Sequence, residues 1–291
     1  MARRRRTRGL DFQQRFETSR WAEDLLMDSL NRVGLLCVRS GLSEYTATET
    51  VAPVEETWKV PDLLVFEPAA LSSEERALLT TTDLPHQLPG AYDPGGQFHF
   101  ASQKALCAIE AEFSPYKARE MKGRNWERRT GETIARRVPK NAKPPTAPNI
   151  WIKEEDLARL EEWERRTLVP VIVTHLFDQE GFAVGLSEVG EFDREFRGTP
   201  GDQIRLQLSK GIFKFVQRYN RVDAEGAREQ KVVLVVAPCA AVKVGDVTGV
   251  TVRAQIGLSA SKKYVAHVLF EGRRLELDPA FLGLLRDARR L

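Results

Sequence analysis

A chain of 291 residues, 42% hydrophobic and 29% charged, has material for a sizeable buried core, as one large domain or a core with an added lobe. Lys and Arg number 44 against 41 Asp and Glu, a net charge of +3, so a nucleic-acid footprint must come from charge placement. No apolar run reaches the ~18 residues of a membrane span, and three scattered cysteines without a CxxC pair argue against a disulfide scaffold and for buried thiols in a reducing cytoplasm.

The chain opens with Arg3-Arg4-Arg5-Arg6 and Arg8, a basic arm over 1–10 that suits DNA phosphates, the minor groove or a solubilising tail. No apolar segment comes after it, so it does not read as a signal peptide. Trp21, Leu25, Leu26 and Leu30 recur at helical spacing and predict a helix over 11–32, with Glu23 on its polar side and Gly34 ending it. Leu35 to Val38 predicts a short buried strand.

Ser43 to Lys59 is ambiguous, and Glu55 and Glu56 stand close before Pro61-Asp62 without informative spacing. Pro61 stands where a strand can begin, since its missing N–H costs least there. Asp62 then heads the apolar run Leu63 to Phe66, a second buried strand. Ser72-Ser73-Glu74-Glu75 marks a helix start, and 85–97 is Pro- and Gly-rich loop. His86 and His99 stand at no ligand spacing.

Ala105 to Ile109 predicts a third buried strand, which two carboxylates, Glu110 and Glu112, interrupt. Residues two apart on a strand share a face, roughly 7 Å apart along the backbone. Two like charges there need a cation, either Lys117 or Arg119 or a divalent metal ion. Ser114-Pro115 ends the strand, and a strongly basic stretch begins. Lys117, Lys122, Arg124, Arg128, Arg129, Arg136, Arg137 and Lys140 predict a phosphate-binding surface, against the plainer alternative of a solvated helix face and linker.

Leu157, Leu160 and Trp163 mark a helix over 153–166. Val169 to Phe177 and Phe182 to Val189 predict a strand pair, in which His175 shares a face with Val171 and Val173 and reads as a satisfied core histidine. Ile204, Leu208, Ile212, Phe215 and Tyr219 predict a helix over 203–219, whose other positions carry Arg205, Lys210, Lys214 and Arg218. Lys231 to Ala237 is strand-like, and 242–258 reads as strands with turns at Gly245-Asp246 and Gly249. Ser259 to Tyr264, with Lys262 and Lys263, suits phosphate or base-edge contact. A strand over 269–277 and a helix over 279–291 close the chain. No GxxxxGK[ST], no GxGxxG after a strand, no HExxH and no paired Cys/His spacing occurs, which argues against nucleotide, dinucleotide and zinc chemistry.

Pro61-Asp62 at a strand start, then Glu110-Ala111-Glu112 at the end of a later strand, resembles the PD-(D/E)xK nuclease superfamily in an acid-x-acid variant, with Glu112 where the family usually has Lys. The resemblance covers roughly 15–190. It implies an α/β (α+β) fold: a restriction-endonuclease-like core over 11–190, with a mixed central sheet flanked by helices. The strand-rich extension over 191–291 would serve DNA recognition or dimerisation, packed as one unit with the core. The implied activity is that of a type II restriction endonuclease, Mg²⁺-dependent (Mn²⁺ as substitute), acting on double-stranded DNA as a cytoplasmic homodimer without nucleotide cofactor. Asp62 and Glu110 would hold the metal, with Glu23 of the first helix as a further acid. Glu112 would orient or deprotonate the water or share a second ion, and Lys117 would stabilise phosphate charge. Two alternatives remain open: a junction or repair nuclease of the same superfamily that reads DNA shape, and a non-catalytic DNA-binding protein whose acids are ion-pair partners.

Overall fold

The computed structural model describes residues 10–40, 58–81, 84, 89–113, 149–196, 205–207, 212–222, 228–236, 238–249, 251–258, 264–271 and 274–290. At 10–19, 192–196, 205–232 and 251–271 this description is of the backbone. The fold is mixed α/β, a mixed sheet flanked by helices.

Helix α1 (Leu10–Arg32) buries Trp21, Ala22, Leu25, Leu26 and Leu30, the spacing expected of one apolar stripe. Gly34, at φ 89°, ends it in the left-handed region, and Leu35 N–H donates back to the Leu30 carbonyl at 3.2 Å. Strand β1 (Leu36–Arg39) comes next and pairs antiparallel with β2 (Leu63–Phe66). Helix α2 (Ser73–Thr81) and the short helix α3 (His99–Lys104) lead into β3 (Ala105–Phe113). Phe98-His99-Phe100, open between strand and entry segment in the sequence, is the entry: His99 begins α3 and its Nδ1 meets the Tyr92 carbonyl at 3.0 Å.

Strand β3 lies inside a seven-stranded sheet. It pairs antiparallel with β2 and parallel with β5 (Val171–Leu176). A parallel neighbour requires a crossover, here β4 (Ile150–Lys153) and helix α4 (Glu154–Thr167). Strand β6 (Glu180–Gly185) pairs with β5 in a hairpin and runs into helix α5 (Leu186–Phe196), so the expected partner strand ends at Gly185 and its last positions are helical. Outside β6 come β10 (Val242–Thr248) and β13 (Arg274–Leu277), which complete the sheet in the order β1-β2-β3-β5-β6-β10-β13. Gly245 is not a turn: β10 runs through it with a bulge against β6, and a Cβ there would collide with the Glu276 carbonyl oxygen of β13. Helix α6 (Pro279–Asp287) packs beside β10, its first turn capped by Asp278, which accepts from Ala280 N–H at 2.9 Å.

The described residues of 203–219 do not form the expected helix. They supply β7 (Arg205–Gln207) and most of β8 (Ile212–Val222), which with β9 (Arg228–Val236) and β4 make a four-stranded sheet. The apolar positions do fit a helical period, but Ile212, Phe213, Phe215, Val216 and Tyr219 are β-branched or aromatic, and the Val-rich β9 offers a long partner. Lys214 and Arg218 therefore stand on a strand, opposite Leu234 and Gln230. Strands β11 (Thr251–Leu258) and β12 (Tyr264–Glu271) form a separate hairpin against α1.

Strand alternation divides the seven-stranded sheet into two faces. Leu63, Val65, Cys107, Ile109, Ala111 and Ile172 pack toward α1 and α6. Leu64, Phe66, Ala108, Val171 and Val173 pack toward Leu157, Leu160 and Trp163 of α4. Among the described residues no helix is long and apolar enough to cross a membrane.

Candidate active site

The α4 face of β3 continues from Ala108 to Glu110 and Glu112, because each lies two residues further along one pleat. Glu110 is buried, 4% exposed. Its Oε1 accepts from Lys59 Nζ, while its Oε2 is buried with no hydrogen-bond partner. Lys59 lies three residues before Asp62 on the segment leading into β2, and Lys59 N–H donates to the Arg159 carbonyl of α4 at 3.2 Å. Asp62 stands at the start of β2, and its Oδ2 accepts from Ala111 N–H at 2.8 Å, a bond that fixes the carboxylate beside β3 between the two glutamates. The Ser40 hydroxyl donates to the Pro61 carbonyl at 2.8 Å and Ser40 N–H to the Asp62 carbonyl at 2.8 Å, so the end of β1 holds the Pro-Asp corner.

Electrostatics place these groups in one neighbourhood. Burial, then the charges of Glu110 and Glu23, raise Asp62 well above the usual carboxylate range. Burial and Glu110 push Glu112 up to about 7. Burial works against the charged form of Lys59, but Glu110 and Asp62 outweigh it and hold the ammonium firmly protonated. Glu23 approaches from α1, raised by burial and by its acidic neighbours while Arg39 Nε donates to it at 3.2 Å. Glu23, Asp62 and Glu110 thus feel one another's charge, Glu112 feels Glu110, and Lys59 stands among Asp62, Glu110 and Glu112.

Lys59 is the residue that sequence reasoning missed. A lone lysine in an ambiguous stretch, 51 positions from Glu110, carries no local signal. Only the β2–β3 pairing delivers it. The cations expected from the sequence, Lys117 and Arg119, lie outside the described residues, as do Lys122, Arg124, Arg128, Arg129, Arg136, Arg137, Lys140, Lys210, Lys262 and Lys263.

Beyond the acids, Glu110, Glu112, Trp151, Lys153, Asp156 and His175 line a cavity of about 150 Å³ between β3, β5 and the β4–α4 corner. Lys153 donates to Asp156 at 3.2 Å on its far wall. His175 stands directly opposite Glu112 in the parallel ladder. Its ring stacks on Phe177, with centroids 4.9 Å apart and planes at 16°. The histidine is buried as expected, yet it is not satisfied: neither ring nitrogen has a hydrogen-bond partner. Burial lowers its pKa to about 4, so the ring is neutral.

Among the described residues no three His, Cys, Asp or Glu side chains are gathered to hold a metal ion alone. Mg²⁺ commonly takes only one or two carboxylates and fills its octahedron with water and phosphate oxygens. The orphaned Glu110 Oε2 and the anchored Asp62 carboxylate fit that pattern. The chain matches no protein-family model, no curated protein and no solved structure.

Proposed function

We propose that the chain is a metal-dependent endonuclease acting on double-stranded DNA, of the type II restriction kind. The observation that carries this reading is the Lys59–Glu110 contact beside Asp62. A strand-start Asp, a strand-end Glu and a lysine ammonium are the groups the PD-(D/E)xK resemblance requires. Here the lysine comes from the approach to β2 instead of from the position held by Glu112. The helix α1, the antiparallel run β1-β2-β3 and the parallel β5 reached through α4 also agree with the element order that the resemblance implies.

In this reading Asp62 and Glu110 hold Mg²⁺, which when bound supplies positive charge to the phosphate and a more acidic water. Lys59 stabilises the charge that builds on the phosphate oxygens. The Glu112 carboxylate takes the proton of the attacking water as its oxygen bonds to phosphorus and the P–O bond to the leaving nucleotide breaks. Glu23, held by Arg39, adds negative charge on the α1 side that favours a cation between the acids. The basic stretch that follows Glu112 in the sequence, Lys117 to Lys140, would supply phosphate contacts, and a homodimer would give one site per strand.

The test is incubation of the purified chain with several plasmid and phage DNAs, with Mg²⁺ or EDTA, beside Glu110→Ala. Discrete fragments that need both Mg²⁺ and Glu110 are expected. A metal-dependent smear would replace sequence recognition with shape recognition. Salt-sensitive binding without cleavage would reduce the protein to a non-catalytic DNA binder and sink the enzyme reading.

A further inference from the structure

Among the polar groups of the cavity that the cleavage scheme leaves unused, His175 is set apart by its unpartnered nitrogens. His175 is 8% exposed, lines the cavity, and has no partner for either nitrogen. No protein group hydrogen-bonds the ring, so its partner must come from whatever occupies the cavity, water or an ion. Its neighbour across the ladder is Glu112, and paired residues on adjacent strands lie about 4.8 Å apart with side chains on one face. The Phe177 stack fixes the plane of the ring. Asp156, held by Lys153 on the opposite wall, leaves the space between with acidic groups on two sides and one nitrogen donor.

We propose that Glu112 and His175 form a binding site for a borderline transition-metal ion such as Mn²⁺, Co²⁺ or Zn²⁺, with the carboxylate and one imidazole nitrogen as protein ligands. Water would fill the remaining positions, since the described residues offer no third protein ligand. A nitrogen donor suits these ions and not Mg²⁺, which prefers an all-oxygen shell. The buried ring is already neutral and presents a free lone pair, so binding requires no proton to leave it. The site shares Glu112 with the cleavage scheme and adjoins Glu110, but ion binding by Glu112 and His175 can be tested without the nuclease reading.

The experiment is a Co²⁺ and Zn²⁺ titration of the full chain labelled with ¹⁵N-histidine, which has four histidines to report. Co²⁺ absorption bands and calorimetry are recorded in parallel. One imidazole is expected to shift strongly with Zn²⁺ and broaden with Co²⁺, with Mg²⁺ leaving it unmoved. His175→Phe should abolish that response, and Glu112→Gln should weaken the affinity at least about 10-fold. Asp62→Asn should retain it while losing any cleavage, which keeps failure of the cleavage reading distinct from failure of this one. Unchanged Co²⁺ affinity in both His175→Phe and Glu112→Gln, or a wild-type chain whose four imidazoles ignore Zn²⁺, would overturn the proposal.

Discussion

The two faces of the seven-stranded sheet are built from the same strands by different rules. Toward α1, alternate residues of β2, β3 and β5 are Leu63, Val65, Cys107, Ile109, Ala111 and Ile172, an apolar layer. The polar group at its edge is satisfied twice: Asn31 donates to the Cys37 carbonyl at 3.3 Å and accepts from Cys37 N–H at 2.8 Å. Toward α4, the apolar layer gives way at the strand ends to Glu110, Glu112 and His175, with a buried carboxylate oxygen and two ring nitrogens left unpaired. One face spends its residues on packing. The other carries polar burial that costs stability, which is where chemistry is expected.

The comparison breaks most decisively at Glu110. If the proposed cleavage is right, Glu110→Ala should reduce it by about 10³-fold or more, since it would remove a metal ligand and the partner of Lys59 together. Gel assays under single-turnover conditions would show it, and near-normal cleavage would remove Glu110 from the site. Lys59→Met should cost about 10²-fold in cleavage, and about 1–3 kcal/mol in stability because buried Glu110 is left without its partner. Adding Glu110→Gln to Lys59→Met should return the stability without the activity, a separation that urea melts and cleavage assays together can read.

The α1 face should answer in the opposite way. Leu26→Ala, at a side chain 0% exposed, should cost about 2–5 kcal/mol while the folded fraction cuts at the normal rate. A large fall in the cleavage rate of folded protein would erase the distinction between the faces. The smallest effect concerns Glu164 on α4, whose pKa burial raises to about 7 despite a hydrogen bond from Val171 N–H. A carboxyl raised in the folded chain is most favourable below its unfolded pKa, and its contribution is lost as pH climbs from about 4.5 toward 7. Glu164→Gln should therefore leave stability at about pH 4 nearly unchanged and raise it at about pH 7.5 by about 1 kcal/mol, allowing for the solvent that still reaches the group.

How much was legible in advance depended on the range of the interactions. Helix α1, strand β2 and strand β3 were legible because an apolar stripe and two short apolar runs are local signals. Asp62, Glu110 and Glu112 were legible as residues because charges at the ends of buried strands are conspicuous. Lys59 was not, since its role exists only through the pairing of β2 with β3. His175 was placed on the right face of its strand by alternation, but whether its nitrogens find partners depends on the β4–α4 corner, which alternation does not describe. The segment 203–219 satisfied a helical period, and its described residues are still strand, because the partner strand β9 decides the matter from outside the window.

Strand β10 carries a consequence for synthesis. Among the described residues the outer edge of β6 pairs with β10 alone, and β10 in turn pairs with β13. Until Val242–Thr248 leaves the ribosome, a nascent chain already holding every carboxylate of the site has an open sheet edge beside β5 and β6. Such an edge invites pairing with other chains, and the long-range closure that removes it is slow. A truncated product ending before β10 would thus hold Ser40, Lys59 and Ala111, the partners of the Pro-Asp corner and of Glu110, and still be prone to aggregate, so the late strands guard the sheet edge rather than the carboxylates.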